Sequence, residues 1–512
     1  MSSGAAAYRN PDHRGLRLHS PRGGDDRAGN LGPVTTDGMP APLLAAQQRA
    51  VDVLVERVPG VVDLGRRYQE AGFELAAVGG CVRDAVLGDL SAADIDLTTD
   101  APPERSHQLM ADWADTVWDV GIKWGTVGGR RGGQAYEVTT YRADLYDGET
   151  RKPEVTFGTS LSDDLVRRDF TINAMAVRLP QCDFVDEHRG TVDLAAGRLR
   201  TPGLPRDSFR DDPLRMMRAA RFVSQLGVHI EPTTYAAMVD MADRLEIVSA
   251  ERIRDEFSRL LLGRYPRAGL AVLVESGLAA QMLPELPALQ LEIDEHHRHK
   301  DVFEHSLTVL DQAIDLEDDG PDLTLRLAAL LHDIGKPRTR RFESGGGVSF
   351  HHHEVVGARM TAKRMRALHF PKSEIEDVSR LVELHLRFHG YGTGEWTDSA
   401  VRRYVRDAGP LLPRLHKLTR ADSTTRNQRR ARALQRAYDS LEERIAQLTA
   451  EEELAAIRPE LDGNEIMQIL AIPPGRAVGE AYQFLLELRL EQGPMGRDAA
   501  EKALRDWWAA RP

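Results

Sequence analysis

Cysteine is almost missing from this chain: Cys81 and Cys182 are the only two in 512 residues, and neither has a CxxC partner. That excludes a disulfide framework and fits a reducing compartment. Aromatic residues supply 6% of the sequence, too few for the broad stacking platforms that hold single strands. No apolar run approaches the roughly 20 residues of a membrane span, and the N-terminal stretch has no continuous apolar segment of the secretory type. An excess of basic charge is missing too. The 67 Lys and Arg against 79 Asp and Glu leave a formal charge of −12, which argues against a passive polyanion binder. It leaves room for an enzyme whose basic residues are gathered in one place.

What is present is ordinary globular composition, 41% hydrophobic and 29% charged, in a chain too long for one core. Residues 1–42 are rich in Gly, Pro, Ser, Arg and Asp without apolar periodicity, and are expected to form a disordered tail. Helical spacing begins at Leu43 and continues through Val51, Leu54, Val55 and Val58. From Leu75 to Thr99 the pattern is strand, glycine turn, helix, strand, and Val117–Val120, Thr126–Gly128, Tyr136–Tyr141 and Phe184–Val185 add short β runs. After about Pro202 the strands are expected to stop. Asp211–Leu226, Pro232–Leu245 and Ala250–Leu262 read as amphipathic helices, and the remainder stays helical with breaks at 343–348, Pro410 and Pro473-Pro474. The expectation is an α+β protein. It has a mixed-sheet head over 43–200, a helical neck over 201–290, a second helical domain over 291–425 and a helical tail over 426–512.

The strongest local pattern is Gly79-Gly80-Cys81-Val82-Arg83-Asp84 followed by Asp94-Ile95-Asp96. A double glycine lets backbone approach a triphosphate, and the helix that follows offers amide donors and a favourable dipole. Two aspartates two apart on a strand project from one face and suit a pair of Mg²⁺ ions. Asp-Ile-Asp by itself is as consistent with an exposed acidic strand, and its place after the glycine turn decides between the two. Glu137, in Tyr136-Glu137-Val138-Thr139-Thr140, is the candidate third carboxylate. A surface glutamate on an edge strand is an equal alternative there.

These segments resemble the DNA polymerase beta-type nucleotidyltransferases. The run Arg167-Arg168-Asp169-Phe170-Thr171-Ile172-Asn173-Ala174-Met175-Ala176 narrows the resemblance to class II tRNA CCA-adding enzymes and their poly(A) polymerase relatives. Asp186 with Gly190 and Asp193-Leu194, Asp211-Asp212-Pro213-Leu214-Arg215 and Ser249-Ala250-Glu251-Arg252-Ile253 follow in order. The resemblance implies that Asp94 and Asp96 bind metal, with Glu137 completing the carboxylate set. It implies that Gly79, Gly80 and Arg83 meet the triphosphate, and that Arg168 and Asp169 handle ribose and phosphates, Asp169 sensing a 2′-hydroxyl. Asp212 and Arg215 would read the base edge, a carboxylate accepting from the exocyclic amine that C and A share. The family usually has Glu-Asp where this chain has Asp211-Asp212. Composition alone would leave Asp211–Arg221 as a solvated helix with i,i+3 ion pairs.

A second constellation lies between about 291 and 425: His305, His332-Asp333 at the end of an apolar helix, His353, His385 and Asp422. Helical His and Asp residues of this kind suit one or two divalent metals, and Leu330–Lys336 resembles the HD phosphohydrolases. That resemblance implies His305, His332, Asp333 and Asp422 as ligands of a second divalent metal, with His353 and His385 matching more loosely. The alternative is a scaffold without chemistry. From Arg402 to Arg436 eleven basic residues crowd a helical stretch, among them Arg403, Arg406, Arg414, Lys417 and Arg420, and suggest a phosphate-backbone track. Taken together, the resemblance implies cytoplasmic, Mg²⁺-dependent addition of CCA to tRNA from CTP and ATP, with no membrane and no obligate protein partner. A poly(A) polymerase, a partial CC- or A-adding enzyme and an HD phosphohydrolase are the alternatives.

Overall fold

A computed structural model describes residues 40–90, 94–121, 125–141, 160–290, 301–344, 348–388, 396–424, 428–452 and 458–511. The expected tail at 1–42 therefore falls almost wholly outside the described residues. The chain forms two compact units: one runs to Ser249 and includes Gly263–Gln281, and the other joins Ala250–Leu262 to the chain from Met282 onward.

The first unit opens with helices α1 (Ala41–Arg57) and α2 (Gly60–Glu70), whose apolar stripes bury Leu54, Val61 and Leu64. Then come β1 (Leu75–Val78), α3 (Gly80–Leu87), β2 (Asp94–Thr99), α4 (Pro103–Ala111), β3 (Thr116–Gly121), β4 (Thr126–Arg131) and β5 (Gln134–Thr140). After α5 (Leu161–Val166), strands β6 (Ala176–Leu179) and β7 (Asp183–Val185) complete a seven-stranded sheet in the order β3-β4-β5-β2-β1-β6-β7. Only β2 and β5 run parallel, because α4 and the β3–β4 hairpin carry the chain across between them. All four residues of β1 are buried, whereas β2 alternates, with Ile95 and Leu97 in the core.

The neck departs from expectation in two ways. Strands do not stop at Pro202: β8 (Arg198–Leu199), before α7 (Pro205–Asp211), pairs in parallel with β9 (His229–Ile230), after α8 (Leu214–Leu226). The single helix expected over Asp211–Leu226 is also two helices. Asp212 is extended at φ −142°, ψ 99°, since a residue ahead of proline is pushed out of the helical region. Pro213 then starts α8. Beyond α9 (Pro232–Asp240) the chain tightens into a 3₁₀ turn over Ala242–Ile247, where one helix to Leu245 was expected. The face of α8 carrying Met216, Met217, Ala220 and Phe222 is buried, with Leu270 and Leu273 of a later helix supplying facing core.

The second unit begins with α10 (Ala250–Leu261); α11 (Pro266–Glu275) belongs to the first unit, and α12 (Leu278–Met282) closes at the boundary. Helices α13 (Val302–Ile314) and α14 (Leu323–Leu331) follow, then the single turn α15 (Lys336–Thr339) and a hairpin of β10 (Arg341–Phe342) and β11 (Val348–Ser349). Residues Leu325–Leu331 of α14 are all buried, as befits a helix apolar on every side. Its one charge, Arg326, is buried against Glu317 and the Leu261 carbonyl. Around it lie α16 (His353–Ala367), α17 (Lys372–Leu384), α18 (Asp398–Ala408) and α19 (Leu412–Asp422). The chain ends with α20 (Gln428–Glu452), α21 (Gly463–Leu470), α22 (Arg476–Gln492) and α23 (Arg497–Ala509). The last three share a core of Leu461, Ile466, Leu485 and Leu504, entered through a capping box between Asp462 and Glu465.

Candidate active site

Alternation along β2 puts Asp94 and Asp96 on the face opposite Ile95 and Leu97, and both aspartates are exposed. The parallel register with β5 sets Asp96 beside Glu137 and Asp94 beside Ala135. All three carboxylates therefore share one face. Strand β5 is interior, between β4 and β2, so Glu137 is no edge-strand surface residue. Surrounding protein raises the Asp96 carboxyl above its usual range, with Arg168 opposing and Asp94 reinforcing the shift. Glu137 is raised by partial burial and then by Asp96 and Asp94. Acidic oxygens that disfavour one another's charge in this way fit a hard divalent cation.

Gly79 lies at the carboxylates' flank with φ +76°, a region L side chains avoid; a Cβ there would sit 3.1 Å from Arg168 Nη1. Glycine lets the chain turn tightly into α3, whose first amides have no helical partner and are suited to an anion. Arg168 is held by Asp164, one helical turn earlier, at 3.0 Å. Arg83 pairs with Asp84 at 2.8 Å and donates through Nη1 to Asn173 Oδ1 at 2.8 Å. Two guanidiniums thus flank the glycine turn.

Asp169 lies beneath this surface. Its Oδ1 accepts from the Phe170 amide at 2.8 Å and from Asn173 Nδ2 at 3.0 Å, and its Oδ2 accepts from Arg218 Nε and Nη2 at 2.8 and 2.5 Å. Burial pushes this carboxyl up, but Arg218, the Asn173 hydrogen bond and Arg215 outweigh it and hold it at about 2. These contacts make Asp169 an anchor for neighbouring side chains. In the segment expected to read the base, Asp212 Oδ1 accepts from the Leu214 amide at 3.2 Å. Arg215 is fixed by Ser208 Oγ at 2.8 Å and the Arg167 carbonyl at 2.7 Å.

Other motif residues build the support. Asp193, fully buried, accepts from Thr171, Arg198 and Arg200 at 2.6–2.7 Å. Asp186 accepts the Gly190 and Thr191 amides. A Cβ on Gly190 would stand 2.2 Å from the Thr171 carbonyl oxygen, so only glycine lets α6 (Gly190–Ala195) lie against the turn that carries Asn173.

In the second unit, His305, His332, Asp333, His353, His385 and Asp422 converge. The first His-Asp grouping is His305, His332 and Asp333, the second Asp333, His353 and His385, so Asp333 belongs to both. His305 Nε2 lies 3.0 Å from Asp422. His332, His353 and His385 each direct Nδ1 to the carbonyl three residues earlier, at 2.8, 2.8 and 2.6 Å. In a neutral imidazole, Nδ1 donation leaves the lone pair on Nε2, and that atom of His385 is buried without a hydrogen-bond partner. Burial, with His332 beside it, pushes His385 down to about 3, so it is neutral at pH 7. Burial lowers His332, yet Asp333 and Asp422 outweigh it and bring it to about 9. Two carboxylates that draw positive charge onto His332, beside the buried Nε2 lone pair of His385, fit a metal cation.

Residues 75–200 match the Poly A polymerase head domain, residues 227–289 the probable RNA and SrmB-binding site of polymerase A, and residues 302–427 the HD domain. Over 443 residues the chain is 35% identical to the A-adding tRNA nucleotidyltransferase of Deinococcus radiodurans, covering 85% of this chain and 95% of that protein. The chain belongs to the tRNA nucleotidyltransferase and poly(A) polymerase family. A CCA-adding enzyme of Lacticaseibacillus paracasei is 46% identical over 216 residues, 42% of this chain and 53% of that enzyme; the match spans about half its length. Among solved structures, the Bacillus stearothermophilus CCA-adding enzyme in complex with CTP superposes with a TM-score of 0.63 at 24% identity, covering 91% of this chain and 98% of that one. The Thermotoga maritima CCA-adding enzyme complexed with tRNA gives 0.57 at 18% identity, covering 90% and 98%. These two establish the shared fold. Family members use a divalent metal, and no helix among the described residues is long and apolar enough to cross a membrane.

Many residues of the basic segment expected to track phosphate are ion-paired within the second unit. Arg402 is buried and donates to the Leu490 carbonyl, Arg403 pairs with Glu487 and Glu491, and Arg406 with Asp407 and Glu487. Arg414 pairs with Asp322, Lys417 with Asp318 and Arg420 with Asp439 and Glu442. These pairs join helices of the second unit. Arg426 lies outside the described residues, and Arg432 and Arg436 remain exposed on α20. In the head, sequence reasoning missed Asp164, Asn173 and Arg218. The i,i+4 spacing of Asp164 and Arg168, and the i,i+3 spacing of Arg215 and Arg218, were the available signals.

Proposed function

We propose that this protein completes the 3′ end of tRNA in the cytoplasm, adding C, C and A from CTP and ATP without a nucleic-acid template. The observation that carries this reading is the shared face of Asp94, Asp96 and Glu137 beside the Gly79 turn. Asp94 and Asp96, with Glu137, would hold Mg²⁺, which when bound lowers the pKa of the attacking 3′-hydroxyl and neutralises charge on the triphosphate. Gly79, Gly80, Arg83 and Arg168 receive the triphosphate through amide donors and guanidinium charge. Asp212 and Arg215 present a carboxylate and a guanidinium to the base edge, which accepts C and A through their exocyclic amine.

A narrower reading, addition of the terminal A alone, is favoured by the likeness to the A-adding tRNA nucleotidyltransferase of Deinococcus radiodurans, which the chain matches over 95% of that protein. The two separate in one assay with tRNA ending before CCA, after C, or after CC, each given CTP or ATP singly. CTP incorporation on the first two and ATP on the third supports CCA addition. ATP incorporation restricted to the third supports the narrower activity, and sustained ATP addition marks a poly(A) polymerase.

The histidine centre supports a second reading: one or two divalent metals held by His305, His332, Asp333 and Asp422, joined by His353 and His385, in a phosphohydrolase site. Elemental analysis of the purified protein, with hydrolysis of bis-p-nitrophenyl phosphate, tests it. A metal-free protein without hydrolysis after metal addition leaves this centre as scaffold.

A further inference from the structure

We infer that Asn173 is a positioning residue that ties the triphosphate arm to the helix that reads the base, so that the two halves of the nucleotide site set one another. This deepens the proposed nucleotidyl transfer and rests on it. Asn173 is buried, in a 3₁₀ turn over Thr171–Asn173. Its two amide atoms face different partners: Oδ1 accepts from Arg83 at 2.8 Å, and Nδ2 donates to Asp169 at 3.0 Å. Asp169 in turn accepts two bonds from Arg218. Arg218 lies on α8 one turn beyond Arg215. A continuous chain of polar contacts therefore runs from α3, whose Arg83 flanks the glycine turn, to α8, which carries the base reader.

The asymmetry of the amide makes this chain directional. Arg83 can only donate and Asp169, ionised, can only accept, so Asn173 fits one way round and no apolar or purely acidic side chain satisfies both. A second contact joins the same two elements: the Arg83 guanidinium lies over the Phe222 ring of α8 at 5.3 Å, and Arg218 lies 5.9 Å from that ring. A phosphate that draws Arg83 away from Asn173 also disturbs the anchor of Arg218, and with it the seat of Arg215. Base choice and triphosphate binding are thereby coupled through residues that touch neither the base nor the reacting atoms.

The test compares Asn173→Asp with wild type in single-nucleotide incorporation on tRNA, reading KM, kcat and the ratio of CTP and ATP to UTP and GTP use, alongside the melting temperature. Asn173→Asp keeps the acceptor for Arg83 but sets a carboxylate against Asp169. Loss of one charge-assisted hydrogen bond corresponds to about tenfold. The expected result is a rise of about tenfold in KM together with about a tenfold loss of base selectivity, larger than the loss in kcat. Asn173→Ala, which removes both contacts without adding charge, is expected to lose selectivity as well. Selectivity unchanged in both variants, with kcat falling and KM rising only in step with the loss of melting temperature, overturns the link. A wild-type protein that adds no nucleotide to any tRNA end overturns the proposed function, and this inference falls with it.

Discussion

Arg218→Leu strips both guanidinium hydrogen bonds from Asp169 and leaves a buried carboxylate facing only Asn173 and the Phe170 amide among its hydrogen-bond donors. The native site holds this carboxyl at about 2 against an ordinary 3.8. At about 1.4 kcal/mol per unit, a shift of roughly two units is worth about 2.5 kcal/mol. Breaking one side of a buried ion pair costs about 3–5 kcal/mol by a separate route of reasoning, so the two scales agree in order. Opening of the turn that contains Phe170–Ala174 should become about 3 kcal/mol easier, roughly a 100-fold loss of hydrogen-exchange protection. Exchange followed by mass spectrometry reads this directly, with peptides from α14 as an internal control in the other unit. The sign with pH follows from a folded pKa below the unfolded one. The stabilisation is present above about pH 4 and disappears as pH falls toward 2, so wild type and variant should converge in that window. Unchanged protection over Phe170–Ala174 at pH 7 would refute the anchoring role of the pair.

In the head, Asp94→Ala or Asp96→Ala should reduce nucleotide incorporation by on the order of 10³-fold or more, measured with labelled CTP and ATP, while any hydrolysis by the histidine centre persists. Because Asp96 and Glu137 are both shifted upward, Mg²⁺ affinity should begin to weaken at a pH above the ordinary carboxylate range as acid is added. A Mg²⁺ titration of incorporation at several pH values checks this, and an unchanged half-saturation would count against it. Gly190→Ala places a Cβ 2.2 Å from the Thr171 carbonyl oxygen and should cost about 1–3 kcal/mol, seen as a lowered melting temperature. Asp333→Asn should remove bound metal from the second unit, by elemental analysis, and leave incorporation intact.

Much of the site was legible because its determinants are local. Two aspartates spaced by one buried isoleucine define a strand face without knowledge of the neighbours, and a double glycine before a helix defines an anion-suited turn. His332-Asp333 at the end of an apolar helix is legible for the same reason. The pairs that organise these groups were not. Asp169 and Arg218 lie 49 positions apart, and Arg83 and Asn173 lie 90 apart. No local periodicity encodes which charge meets which. The ion pairs of the basic run from Arg402 were hidden for that reason too: its acidic partners Asp318, Asp322, Glu487 and Glu491 lie far away in sequence.

The break at Asp212-Pro213 shows how one local signal, read too lightly, changes the mechanism. On an unbroken helix Asp212 and Arg215 would be i,i+3 neighbours, free to quench one another as a surface ion pair. Proline instead forces Asp212 into extended backbone and starts a new helix at Leu214. Arg215 then reaches back to Ser208 and the Arg167 carbonyl, and Arg218, one turn on, anchors into Asp169. Under the proposed function, a reader of bases without a template needs donor and acceptor held in place before the nucleotide arrives, because each group left to find its own rotamer weakens discrimination. The kink contributes to that rigidity through backbone geometry, and Ser208 with the Arg167 carbonyl sets the hydrogen-bonding edge of Arg215.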